Sequence, residues 1–104
     1  MASSSEAFEK FTMWKNFKTS LRVTVIVGGK TIDVLMGRIF GVDPEASQVG
    51  LSNPLVMHSA IAFDVEDVEF SIEESRLVAT RNESDWIVFE EVAELLPMWT
   101  HSMR

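Results

Sequence analysis

Apolar positions along this chain recur with two periods, and the change between them divides it. Ala7, Phe8, Phe11, Trp14 and Phe17 recur at intervals near 3.6 residues, while Glu9, Lys10, Lys15 and Lys18 take the other positions. That is a helix with one apolar face. Ser3 followed by Glu6 has capping-box spacing, so the pattern predicts a helix over residues 5–18 whose aromatic stripe packs against the rest of the fold. From Leu21 the period falls to two. Leu21, Val23, Val25 and Val27 alternate with Arg22, Thr24 and Ile26, as in a half-buried strand. Gly28 and Gly29 then supply the positive φ angles of a tight hairpin turn, and Lys30 opens the return strand. Ile32, Val34 and Met36 alternate on one face, and past Gly37 the apolar phase shifts to Ile39. A bend or bulge is therefore predicted at that glycine.

Residues 43–47, Asp-Pro-Glu-Ala-Ser, are loop chemistry, with proline fixing φ and the aspartate able to bond its own turn. A third strand over residues 48–52 is ended by Asn53 and Pro54, and residues 55–60 read as loop. Ile61, Phe63 and Val65, then Val68, Phe70 and Ile72, alternate in two registers around Glu66 and Asp67. With the extended pattern of residues 77–80 they predict one or two strands. Residues 82–85 form the next turn and residues 86–89 the last core strand. Residues 92–99 read as a short helix or a strand ended by Pro97.

A chain of 104 residues with 46% hydrophobic content is expected to be one domain. Its modest core makes association with further subunits attractive. No window approaches the roughly 18–20 continuous apolar residues of a membrane span. Residues 1–5 lack the charged-then-apolar pattern of an export signal, so the expected location is the cytoplasm, with no membrane partner. The chain has no cysteine, which excludes disulfides and thiolate metal sites. The formal charge of −7 is uneven: residues 1–38 hold six basic and three acidic groups, net +3, leaving −10 for the remainder. The acids at 64, 66, 67, 69, 73 and 74 would repel a phosphate backbone, so nucleic acid could bind only locally. Such a run ordinarily forms a solvated face that keeps a β-rich protein soluble.

Catalytic patterns are missing from the sequence. His58 and His101 are far apart and have no carboxylate at metal-ligand spacing. Neighbouring acids such as Glu66 and Asp67, or Glu73 and Glu74, point to opposite faces of an extended strand and make no carboxylate pair. The double glycine lacks the lysine and helix of a phosphate cradle. The expectation is a protein that is not an enzyme and has no catalytic residue, no cofactor and no metal.

Two segments carry more. Gly37, Ile39, Val42 and Asp43 precede a short loop and Gln48, Val49 and Leu51; about forty residues on, residues 78–82, Val-Ala-Thr-Arg-Asn, lead into Trp86, Ile87 and Val88. Their order resembles the two halves of the Sm-like motif, with glutamine at the usual asparagine, a loop one residue longer, and Asn82 where glycine is usual. Asparagine visits left-handed backbone angles more readily than other non-glycine residues. The resemblance covers roughly residues 6–90. It implies a mostly β protein, an N-terminal α-helix followed by a five-stranded, strongly bent Sm-like (SH3-like) barrel at about 20–90, with a C-terminal extension at 91–104. It further implies a homo-oligomeric ring of about five to seven subunits. Such rings bind single-stranded RNA, one base per subunit. Gln48 would read a base edge, Arg81 beside Asn82 would contact base and backbone, and Asp43 would hold the loop in shape. The other reading of the same fold is a structural or protein-interaction ring that turns its acidic face to a basic protein partner and binds no RNA.

Overall fold

The computed structural model describes residues 2–53, 56–62 and 68–93. Helix α1 (Ser4–Asn16) precedes strands β1 (Leu21–Val27), β2 (Lys30–Asp43), β3 (Gln48–Asn53), β4 (Val56–Ala62), β5 (Glu69–Ile72), β6 (Arg76–Thr80) and β7 (Trp86–Glu91). The strands form one antiparallel sheet in the order β4-β3-β2-β1-β7-β6-β5. The protein is mostly β with one N-terminal helix and a curled sheet, as its hydrophobic pattern indicates.

The described strands number seven rather than five. Residues 56–62, expected largely as loop, pair with β3 from Gln48 opposite Ala62 to Leu51 opposite Ser59. That run mixes serine, histidine and alanine and has no period-2 signal, so its neighbour sets the strand. The second extra strand comes from residues 69–80, which fold back as the β5–β6 hairpin, with the Glu73 N–H donating to the Arg76 carbonyl at 2.7 Å. Val92 and Ala93 lie outside any helix or strand. The expected element over residues 94–99, and the alternation at 63 and 65, lie outside the described residues.

Strand β2 is the spine of the curl. Its first half pairs with β1, ending at Gly37 opposite Leu21, and its second half pairs with β3, starting at Arg38 opposite Ser52. The partner changes at Gly37, where a Cβ would collide with the Ser52 carbonyl. The expected phase shift does not occur there. Register shifts fall instead between Val25 and Ile26 and between Ile39 and Gly41, while Leu35, Gly37 and Ile39 keep one inward phase. Gly37 occupies an inward position without a side chain, so the inward row looks interrupted in sequence. The apolar row of Ile32, Val34 and Met36 faces outward instead: Ile32 is 62% exposed and Val34 49%.

Helix α1 closes the concave side. Ser3 is its N-cap, with its hydroxyl accepting from the Glu6 N–H at 3.2 Å and the Glu6 carboxylate returning the bond, an arrangement worth about 1 kcal/mol. Ala7, Phe8, Phe11 and Trp14 are buried against Leu21, Val23, Ile39, Val49, Leu77 and Phe89. Phe11 is the hub, its ring centroid 4.9 Å from Phe89, 5.6 Å from Phe8 and 6.1 Å from Trp14. The helix ends two residues earlier than the pattern predicts. Phe17 is its C-cap and is 76% exposed, and Lys18 follows at φ 53°, turning the chain toward β1. Lys10, whose spacing put it on the polar face, is instead wedged inward, with its side chain only 12% exposed. It donates to the Glu74 carbonyl at 2.8 Å and lies 5.2 Å from the Trp14 ring centroid. The Trp14 indole donates to Glu91 Oε2 at 2.9 Å, and that oxygen is 3.9 Å from Lys10 Nζ. These contacts pin the helix to the ends of β5 and β7.

Candidate nucleic-acid interface

The first half of the motif forms a turn with a groove beside it. Asp43 and Gln48 are Cα partners at the mouth of the β2–β3 hairpin. Asp43 Oδ1 accepts from the Ala46 N–H at 3.1 Å, and the Ser47 N–H donates to the Pro44 carbonyl at 3.3 Å with Ser47 at φ 54°. Asp43 therefore shapes the loop. Phe40 is the residue passed over by the register shift between Ile39 and Gly41. Its ring lies over Gly50, where a Cβ would come 2.6 Å from Cζ, and the ring is 48% exposed. A shallow groove of about 280 Å³ runs between residues 40–43 and 48–50. Among the described residues its wall carries one charged side chain, Asp43. Arg38 is exposed two residues before Phe40, paired across to Ser52.

The second half of the motif is a turn of another kind. Asn82 Oδ1 accepts from the N–H groups of Ser84 (2.8 Å) and Asp85 (2.9 Å), and its Nδ2 donates to Asp85 Oδ2 at 3.0 Å. Its amide is spent on building the turn. Asp85 Oδ1 accepts from the Gly28 N–H at 2.9 Å, and the Gly29 N–H donates to the Ser84 carbonyl at 2.8 Å, which sews this turn to the β1–β2 hairpin. The Arg81 N–H donates to the Asp85 carbonyl at 3.0 Å, leaving the side chain exposed. The structure thus brings Asp43 together with Gln48, and Arg81 with Asn82. Among the described residues no hydrogen bond or ion pair joins the two pairs.

Asp85 is the electrostatic centre of that second turn. The Gly28 N–H, then the Asn82 amide, hold its carboxyl below the ordinary value of 3.8; partial desolvation opposes them and the Arg81 charge assists. A depressed folded value means that its stabilisation is complete above the unfolded pKa and fades as pH falls through the folded one. Asp85→Asn should therefore lower the melting temperature at neutral pH, with the gap to wild type closing as pH drops below 3.8. A gap of constant size in a pH series of melting curves would reject this account.

Two residues were missed by reasoning from the motif alone. Phe40 could have been noticed as an aromatic between Gly37 and Gly41, facing a glycine across the loop. Asp85 was readable only as a turn residue, because its partner Gly28 is 57 residues away. Among the described residues no group of three His, Cys, Asp or Glu side chains could hold a metal, and no helix is long and apolar enough to cross a membrane. No protein-family model, curated protein or solved structure matches this chain.

Proposed function

We propose that the protein binds single-stranded RNA in the groove beside the β2–β3 turn, one base per subunit of an Sm-like ring. The observation that carries this reading is the half-exposed Phe40 ring, whose Cζ edge lies over Gly50, with the exposed Gln48 in the same groove. A flat ring offers a stacking surface to any base, and an amide can donate to and accept from a base edge. Asp43 keeps the loop in register, and Arg38, two residues from Phe40, supplies a cation for a neighbouring phosphate. Arg81 belongs to the other turn and contributes charge from there. A ring would repeat a weak contact enough times to give useful affinity.

Among the described residues the groove wall has a carboxylate and no cation, so recognition rests on bases more than on phosphates. Titration of uridine-rich and adenine-rich oligomers should give a shallow salt dependence, with a slope of about −0.7 for each phosphate neutralised. Phe40→Ala should weaken binding by about 1–3 kcal/mol per base, or roughly five- to a hundredfold, and Gln48→Ala by less. Undetectable binding at low salt, or full affinity in Phe40→Ala, would remove the reading. The second reading, a protein-interaction ring for a basic partner, is favoured by the charge of −7 and by exposed acids at Glu69, Glu73, Glu74 and Glu83. It predicts capture of a cationic protein and no RNA shift at any salt.

A further inference from the structure

Two glycines clear the outward face of the β2–β3 hairpin. Val49 is fully buried, so Gln48 and Gly50 on either side of it point outward, and their ladder partners Asp43 and Gly41 share that face. At Gly41 a Cβ would meet nothing within 4 Å, whereas at Gly50 it would meet the Phe40 ring. The hairpin therefore has a glycine floor, with an aromatic ring at one end and a carboxylate beside an amide at the other. The two ends are one same-face step apart along the ladder, about 7 Å. Phe40, Asp43 and Gln48 line one groove of about 280 Å³. A purine stacked at the ring end reaches the polar end with its edge.

We infer that this groove selects guanine among the four bases, an assignment that rests on the RNA reading and adds which base the site takes. A carboxylate has about four lone-pair sites and no proton to give, and Asp43 uses one of them, on Oδ1, for the Ala46 N–H. Among the described residues Oδ2 accepts no hydrogen bond, and the Gln48 amide opposite can donate. The pair thus offers two acceptor oxygens and then a donor. Guanine alone carries two adjacent donors on its Watson–Crick edge, N1–H and the 2-amino group, with the O6 acceptor next to them. The carboxylate takes both donors in charge-assisted bonds and the amide donates to O6. Adenine and cytosine give the carboxylate a single donor. Uracil gives it one N3–H flanked by carbonyl oxygens, which the carboxylate repels. All three still stack on Phe40, so they bind, but more weakly.

Fluorescence anisotropy with short uridine oligomers, each carrying one guanosine, adenosine, cytidine, inosine or 7-deazaguanosine, tests the assignment. The guanosine oligomer should bind about five- to a hundredfold tighter than the adenosine or cytidine one, the discrimination of a bidentate contact. Inosine lacks the 2-amino group and should lose most of that margin; 7-deazaguanosine keeps the whole Watson–Crick edge and should lose none. Asp43→Asn retains an oxygen for the Ala46 N–H but turns half of the acceptor pair into a donor. It should level guanosine with adenosine without weakening the all-uridine oligomer. Glu45→Gln removes the same charge from the exposed turn outside the groove and should leave the preference intact. Equal affinity for guanosine and adenosine oligomers, with Phe40→Ala still weakening both, overturns the guanine assignment and leaves RNA binding standing. Undiminished affinity for inosine, a preference that survives Asp43→Asn, or an equal loss in Glu45→Gln overturns it as well. Absence of binding by every oligomer removes the RNA reading and the guanine assignment together.

Discussion

Phe11→Ala will cost about 3–5 kcal/mol, and Phe17→Ala almost nothing, although both belong to one aromatic stripe in the sequence. Phe11 is fully buried and meets Phe8, Trp14 and Phe89 at ring distances of 4.9–6.1 Å, so truncation removes contacts from three rings and from both layers of the fold. The surrounding rings are rigid and belong to different elements, which limits collapse into the space left behind. Domains of this size hold about 5–15 kcal/mol in total. The melting temperature should therefore fall by roughly 12–40 °C, at about 4–8 °C per kcal/mol, if the variant folds at all. Phe17 is 76% exposed after the helix cap, and its loss should move the midpoint by no more than a degree or two. Thermal melts of the two variants side by side decide the matter. Similar midpoints would mean that the helix does not pack through Phe11.

The contrast between these phenylalanines shows what was legible in the chain. Helix, cap and hairpin were readable because each depends on neighbours in sequence: Ser3 with Glu6, the double glycine, the alternation from Leu21 to Val27. The ambiguity began where both faces of a strand are apolar. In β2 the set Ile32, Val34 and Met36 and the set Leu35 and Ile39 are equally hydrophobic, and only the register to β1 decides which is inside. A similar limit applies to Lys10, whose partners Glu74 and Glu91 lie 64 and 81 positions further along. The site divides in the same way. Asp43 and Gln48 are five residues apart, so their meeting across a turn was readable. Asn82 was readable as a turn residue, but its engagement with Asp85, and through Asp85 with Gly28, depends on how two hairpins come together. Phe40 was readable as an aromatic between glycines, but its place over Gly50 depends on the register shift between Ile39 and Gly41, which no local pattern encodes.

Two glycines on neighbouring strands should respond to alanine in opposite ways. At Gly37 the added methyl meets the carbonyl of Ser52, a backbone atom fixed by the same ladder that lets β2 pass from β1 to β3. The clash can be relieved only by parting β2 from β3, so Gly37→Ala should destabilise by about 1–3 kcal/mol or more, the usual cost of overpacking. At Gly50 the methyl meets the Phe40 ring at 2.6–3.0 Å, and that ring is a half-exposed side chain rather than backbone. Displacing it to another staggered position costs at most about 1 kcal/mol. Stability should change little, yet the ring is moved from its place beside Gln48, so Gly50→Ala should reproduce the RNA-binding loss of Phe40→Ala. Gly37→Ala should keep whatever affinity its folded fraction allows. Melting curves and RNA titrations of both variants separate the cases: full binding by a stable Gly50→Ala would detach function from the Phe40 platform, and a stable Gly37→Ala would mean that β2 and β3 do not approach as closely as the fold requires.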